Sequence, residues 1–381
     1  MAFEPEVIRS IVRNFDYNLP YFDSMTRPNE ALQFRNGIVM QNRFVLAPLT
    51  NSQSHEDGTL SNDEYNWLVK RAEGGFGMVT TCASHVAEKG KGFPGQLGIF
   101  SDAHIEGHKR LALGIKAHGS LAIVQLHHAG MRSLKELIGQ APQCPSDNEE
   151  FGARGMTSAE IQGLKADFID AAKRAQSCGY DGVQLHGAHG YVLAQFLSAE
   201  INKRNDKYGR SFENRSRIFF EIVDGIRIAC GNKFLVGIRL SPERFGLDLG
   251  EVKLLTQRLI DTGQIDFLDI SVWDYQKMPE DEQYQNKSLL QHFLSLDAKD
   301  VVLSVAGKIK HATDVQNVLN TGADLVCVGR SGILHFDFPK QVIANPNFER
   351  VPTPVSEAYL QAQGLGPAFI NYMKKWKYFV A

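Results

Sequence analysis

The stretch Asp181-Gly-Val-Gln-Leu-His-Gly-Ala-His-Gly-Tyr-Val-Leu193 decides how this chain is read. Val183 to Leu185 form a short, mainly apolar run bounded by glycine, the pattern of a buried strand in a parallel sheet. At its C-terminal end stand His186, His189 and Tyr191, with only Gly187, Ala188 and Gly190 between them. If such strands close into a barrel, that end is the rim where chemistry is done. Two neutral imidazoles can donate hydrogen bonds to a carbonyl oxygen, and a tyrosine nearby can supply a proton. A lone histidine at a strand end is more often a satisfied polar group. Three polar rings together raise the expectation of a site.

Outward from this stretch the same alternation repeats. Further strands are predicted at 43–47, 77–82, 121–126, 234–240, 267–271, 301–306 and 325–328. Helices are predicted between them at 62–73, 102–118, 212–229, 251–262 and 313–321. Ser61 is placed to cap the first, Gly119 to stop the second, and Thr157-Ser-Ala-Glu160 reads as a capping box opening another helix to Ser177. Residues 139–156 and 273–288 read as irregular. Strands alternating with helices predict a parallel sheet, and eight of them predict an α/β fold, the (β/α)8 or TIM barrel.

The chain has 381 residues, and such a barrel typically takes about 250. The expected organisation is therefore one domain: an N-terminal extension over 1–40, the barrel over 41–345, and a C-terminal tail over 346–381. In the extension Ile8, Ile11, Val12 and Phe15 have the spacing of an amphipathic helix, and a last helix is predicted near 367–379 with aromatic residues covering apolar surface. Net charge is −2, which gives no electrostatic case for nucleic acid or an anionic membrane. No apolar run reaches the roughly 20 residues that span a bilayer. Without the basic and apolar regions of a signal peptide at its start, a cytoplasmic protein is expected. The five cysteines are scattered with no Cys-x-x-Cys pair, so neither a disulfide framework nor a zinc knuckle is expected.

The run His186-Gly-Ala-His-Gly-Tyr191, followed by Phe196-Leu-Ser198 and Tyr208-Gly-Arg-Ser-Phe-Glu-Asn-Arg215, closely resembles the old yellow enzyme family of FMN-dependent ene-reductases. The resemblance extends from about Arg43 to about Leu334. It implies bound FMN and a diffusible hydride donor, NADH or NADPH, that enters without a dinucleotide-binding domain; no strand–turn–helix Gly-x-Gly-x-x-Gly is found. It further implies that an enone replaces the oxidised nicotinamide, with quinones as possible acceptors too. His186 and His189 would bind the carbonyl oxygen, the flavin would deliver hydride to the β-carbon, and Tyr191 would protonate the α-carbon.

Other residues follow from the same resemblance. Ala47-Pro48-Leu49-Thr50 matches the segment lying against the flavin, with the Thr50 hydroxyl near the ring, and Ala83 falls near its pyrimidine side. Gln125 can both donate to and accept from the flavin's amide-rich edge, and Arg239 can set positive charge beside it. Gly307 after strand seven and Gly329-Arg330 after strand eight stand where barrels bind phosphate. Phe93, Phe245, Trp273 and Tyr275 are candidate aromatic walls, and His128 is read as structural. Ser52 and Met131 depart from the family pattern, which bears on substrate shape. A small-molecule substrate is the expected partner, and self-association into a homo-oligomer is compatible with the sequence. An alternative, a metal-dependent barrel hydrolase using His127, His128, His186 and His189, lacks a nearby carboxylate.

Overall fold

A strand with no exposed residue must be covered on both faces, and eight strands here meet that description. They are β1 (Phe44–Leu46), β2 (Met78–His85), β3 (Leu121–His127), β4 (Gly182–Gly187), β5 (Leu235–Leu240), β6 (Phe267–Ser271), β7 (Val302–Ala306) and β8 (Leu325–Val328). In this computed structural model, which describes residues 26–381, they form one closed parallel barrel. Each strand pairs with its sequence neighbours, β8 returns to β1, and β5 meets β6 through Phe267 opposite Gly237. The TIM-barrel expectation is met. The expected helix through Ile8, Ile11, Val12 and Phe15 lies outside the described residues.

The helices form where the sequence supplies caps. Ser61 accepts from Glu64 N–H at the head of Asn62–Glu73, and Thr157 and Glu160 form the capping box of Ser158–Ser177. Leu249–Asp261 begins two residues earlier than predicted because Asp248 caps it, accepting from Glu251 N–H at 2.8 Å. β2 runs three residues past its predicted end, since Ser84 and His85 are buried despite their polarity. Short helices at Val192–Leu197, Leu289–Leu294, Phe338–Ala344 and Glu357–Ala362 escaped the sequence reading because one or two turns show too little periodicity. The last helix is Pro367–Lys374, shorter than predicted.

The first residues of several strands, Met78, Leu121, Leu235, Phe267, Val302 and Leu325, pack in one cluster with Phe34 and Met40. Met40 belongs to a ribbon, Leu32–Gln33 against Val39–Met40, and Phe34 directly follows its first strand; together they plug the N-terminal end of the barrel. The C-terminal end is left to the site. Register aligns it: Gln125 lies opposite Gln184, and His186 opposite Arg239, which in turn faces Asp269. A register shift in β2 between Thr80 and Ala83 brings Ala83 opposite Gln125.

Candidate active site

At the C-terminal ends of the strands opens a cavity of about 520 Å³. His186, His189 and Tyr191 line it from the end of β4. Ala47, Pro48, Leu49 and Thr50 line it after β1, Ala83 from β2 and Gln125 from β3. Arg239 reaches it from β5, and Gly307, Gly329 and Arg330 border it after β7 and β8. Residues chosen from seven separate strand ends thus surround one space.

The two imidazoles meet because the backbone turns sharply. His189 has φ +58° and Gly190 φ +71°, two successive left-handed residues. For histidine this is a sparsely populated conformation, tolerated where the surroundings fix it. Here Ser241 Oγ accepts from His189 N–H at 3.0 Å, and Arg132 donates to His189 carbonyl at 3.0 Å. The turn sets His189 Nδ1 3.3 Å from His186 Nε2. Tyr191 then stands directly before the helix Val192–Leu197, its ring edge-on to His127 at 4.4 Å and to His186 at 4.9 Å. The loops after β3 and β4 are tied by the buried Gln195, whose Nε2 donates to Ala129 and Gly190 carbonyls and whose Oε1 accepts from Met131 N–H.

Burial governs protonation. It pushes His186 far below the ordinary imidazole range, reinforced by the His189, His127 and Arg239 charges, and it pushes His189 down to about 3. Both rings are neutral at physiological pH. Burial also pushes the Tyr191 phenol up from its ordinary value, so it keeps its proton. His127 and His128 are buried and do not line the cavity. His128 Nδ1 accepts from Gly130 N–H at 3.0 Å, a structural contact.

Arg239 satisfies two readings at once. Its Nε stands 3.1 Å from Asp269 Oδ2, an ion-pair distance without hydrogen-bond alignment, and its Nη2 donates to Ser271 Oγ at 3.0 Å. The internal salt bridge and the cavity-facing charge are the same residue. Gln125 Nε2 donates to Gln184 Oε1 at 2.7 Å, so the neighbouring glutamine orients the amide.

Sequence reasoning missed part of the wall. Lys310 and Arg350 join Arg330 along the cavity, and among the described residues none of the three is in an ion pair. Burial, then the Arg330 charge, lowers Arg350 from its ordinary range, the mark of a cation facing a cation. Among the described residues, the main-chain N–H groups of Gly329, Arg330 and Ser331 donate to no protein acceptor. A Cβ added at Gly329 would meet only Leu49 Cδ2, at 3.7 Å. At Gly307 the added atom would lie 2.9 Å from Tyr275 N, so glycine there is demanded by the packed rim loop. Open amides and unpaired cations fit a phosphate group.

Two aromatic assignments change. Phe93, Phe245 and Trp273 line the cavity, but Tyr275 does not. Tyr275 is buried, and its hydroxyl donates to Asp314 Oδ1 at 3.0 Å. The C-terminal helix was expected to cover apolar surface; Tyr372 and Met373 from it, with Trp376 just beyond, form cavity wall instead. Among the described residues no group of three or more His, Cys, Asp or Glu is arranged to hold a metal, and no helix is long and apolar enough to cross a membrane.

A sequence model of the NADH:flavin oxidoreductase / NADH oxidase family matches residues 30–348. The chain belongs to this family. The family relatives include the probable NADH-dependent flavin oxidoreductase YqiG of Bacillus subtilis (strain 168), 33% identical over 89% of this chain and 97% of the relative. An NADPH dehydrogenase of Bacillus velezensis is 31% identical over 84% of this chain and 94% of its own. An NADH oxidase of Thermoanaerobacter brockii is 33% identical, but the chain spans only 50% of its length. Among solved structures, morphinone reductase superposes with a TM-score of 0.75 at 27% identity, covering 92% of this chain and 96% of that one. Fold and family agree with an old yellow enzyme barrel that takes FMN as cofactor and a reduced nicotinamide as donor.

Proposed function

We propose that this protein reduces the activated C=C bond of α,β-unsaturated carbonyl compounds, and quinones, in ping-pong alternation with NADH or NADPH. The observation that carries this reading is the pair of neutral imidazoles, His189 Nδ1 and His186 Nε2, 3.3 Å apart at the cavity beside a protonated Tyr191. Relatives named NADH:fumarate and NADH:acrylate oxidoreductase, together with morphinone reductase, favour an activated alkene as substrate.

When bound, FMN supplies the hydride chemistry. Arg330, Arg350 and Lys310, with the amides of Gly329 to Ser331, would hold its phosphate. Gly307 would border that site. Gln125 and Arg239 would meet the polar edge of the ring, with Ala47 to Thr50 and Ala83 against its surface. His186 and His189 bind the substrate's carbonyl oxygen and draw electron density from the C=C bond. Tyr191 holds the proton destined for the α-carbon. Phe245, Trp273, Tyr372 and Trp376 enclose the substrate and exclude water. In this reading residues 41–345 are the catalytic barrel, and the tail over 346–381 completes its wall.

The test is titration with a phenol, whose phenolate places an oxygen where the carbonyl would sit. The parent should bind with a long-wavelength charge-transfer band, and His186→Ala and His189→Ala should each bind more weakly. Parent-like titration of both variants would remove the imidazoles from the oxygen site. Steady-state assays of a cyclic enone panel with each nicotinamide then test turnover directly.

A further inference from the structure

The oxygen clamp works only if both facing nitrogens carry hydrogen, and a neutral imidazole has one N–H. For His186 the tautomer is fixed locally: Ala188 N–H points at Nδ1 from 3.3 Å, which leaves the proton on Nε2. For His189 no backbone group does this: its Nδ1, 3.3 Å from His186 Nε2, accepts from that N–H while no oxygen lies between the rings, and must carry its own hydrogen when one does. Its Nε2 stands 3.0 Å from Ser271 Oγ, the last residue of β6 and almost fully buried.

Ser271 Oγ has a second neighbour, Arg239 Nη2, also at 3.0 Å. A guanidinium can only donate, so it occupies a lone pair of the hydroxyl. The serine has one hydrogen to place. Among the described residues the single remaining partner of Oγ within hydrogen-bond distance is His189 Nε2. Were His189 to donate from Nε2, the serine hydrogen would have no protein acceptor and could turn only to whatever fills the cavity that Ser271 lines.

We propose that Ser271 is a positioning residue that sets the tautomer of His189: its hydroxyl, engaged by Arg239, donates to Nε2 and so places the His189 proton on Nδ1, facing the cavity. The relay runs from Asp269 through Arg239 and Ser271 to His189. It turns a ring that could equally accept at that position into a donor, and with His186 Nε2–H it makes a site for an oxygen that only accepts, a carbonyl or a phenolate. The inference rests on the proposed role of the two imidazoles as an oxygen clamp.

The experiment uses the FMN-loaded protein with para-hydroxybenzaldehyde as ligand. Proton–nitrogen correlation spectra of isotope-labelled histidine report which nitrogen of each ring carries hydrogen, with His189 assigned by its loss in His189→Ala. The parent should show His189 protonated on Nδ1. Ser271→Ala should shift His189 toward Nε2–H and weaken the phenol roughly 10- to 100-fold, the loss of one hydrogen bond to a charged group. Ser271→Thr, which keeps the hydroxyl, should restore both readouts, an outcome that mere packing at this position would not produce. His189 protonated on Nε2 in the parent, or a Ser271→Ala protein with parent-like spectrum and affinity, overturns the proposal. Should Ser271→Ala fail to retain FMN, the parent spectrum and Ser271→Thr still decide. If instead His186→Ala and His189→Ala bind the phenol like the parent, the clamp itself fails, which is a different result.

Discussion

Removing the Tyr191 hydroxyl should separate the two halves of the catalytic cycle. Tyr191→Phe preserves the ring that packs edge-on to His127 at 4.4 Å and His186 at 4.9 Å, and that sits beneath the Arg132 guanidinium at 5.3 Å. Among the described residues the Tyr191 hydroxyl makes no hydrogen bond, so its loss should change stability by no more than about 0.5 kcal/mol. Flavin reduction by nicotinamide draws on no proton from Tyr191 and should proceed near the parent rate. Reoxidation by an enone loses its positioned acid and should slow roughly 10²–10⁴-fold, about 3–5 kcal/mol of barrier. The contrast between a negligible stability change and a large, one-sided kinetic effect is the signature. Stopped-flow traces of flavin absorbance, with NADH and then cyclohexenone, measure both halves, and a quinone should reoxidise the variant far less impaired. Parent-rate reoxidation by cyclohexenone would refute the reasoning and leave Tyr191 a packing residue.

Other outcomes follow from the same geometry. Arg350→Ala should loosen FMN at least as much as Arg330→Ala, since Arg350 is the less exposed of the two; each loss of a charge-assisted contact is worth about 1.5–3 kcal/mol, read as flavin content after dialysis, and an Arg350→Ala protein that keeps more flavin than Arg330→Ala would contradict it. Acid should destabilise the fold early. Burial lowers His85 and His108 to about 4, and His128 and His189 to about 3, from an ordinary value of 6.5. The unfolded chain therefore binds protons that the folded one refuses, and stability present above pH 6.5 is lost as pH falls toward 4 and 3. Near pH 5.5 each ring should cost about 1.4 kcal/mol, roughly 6 for the four together, and a flat denaturation midpoint between about pH 7 and 5 would show that the rings titrate freely. Trp376→Ala should raise KM for bulky enones more than for small ones while leaving flavin reduction by NADH largely intact, as a competition assay over enone size would show.

Much of the barrel was readable because each strand is apolar along its whole length and the intervening helices carry their own caps. The proposed catalytic trio was readable for the same reason: His186, His189 and Tyr191 sit close together at a strand end, where strand order places them at the rim. Ser271 gave no such signal, being an ordinary last residue of β6 whose meaning depends on neighbours from β4 and β5. Arg350, Tyr372 and Trp376 were hidden because they arrive from a tail whose path is set by packing and not by strand order. Tyr275 shows the converse failure. Trp273, at φ +62°, and Tyr275 lie two apart in an irregular loop, and only the fold reveals that one faces the cavity while the other is bonded to Asp314.

The wall contributed by Tyr372, Met373 and Trp376 has a consequence for the order of assembly. All eight strands leave the ribosome before this segment is synthesised. A nascent barrel would thus display its phosphate and ring sites while still lacking one side of the cavity. Cofactor can enter such a half-built vessel from the flank, and the last helix then shuts behind it. With Tyr372 and Met373 covering that flank in the finished protein, the off-rate of the cofactor should rise whenever the C-terminus opens locally.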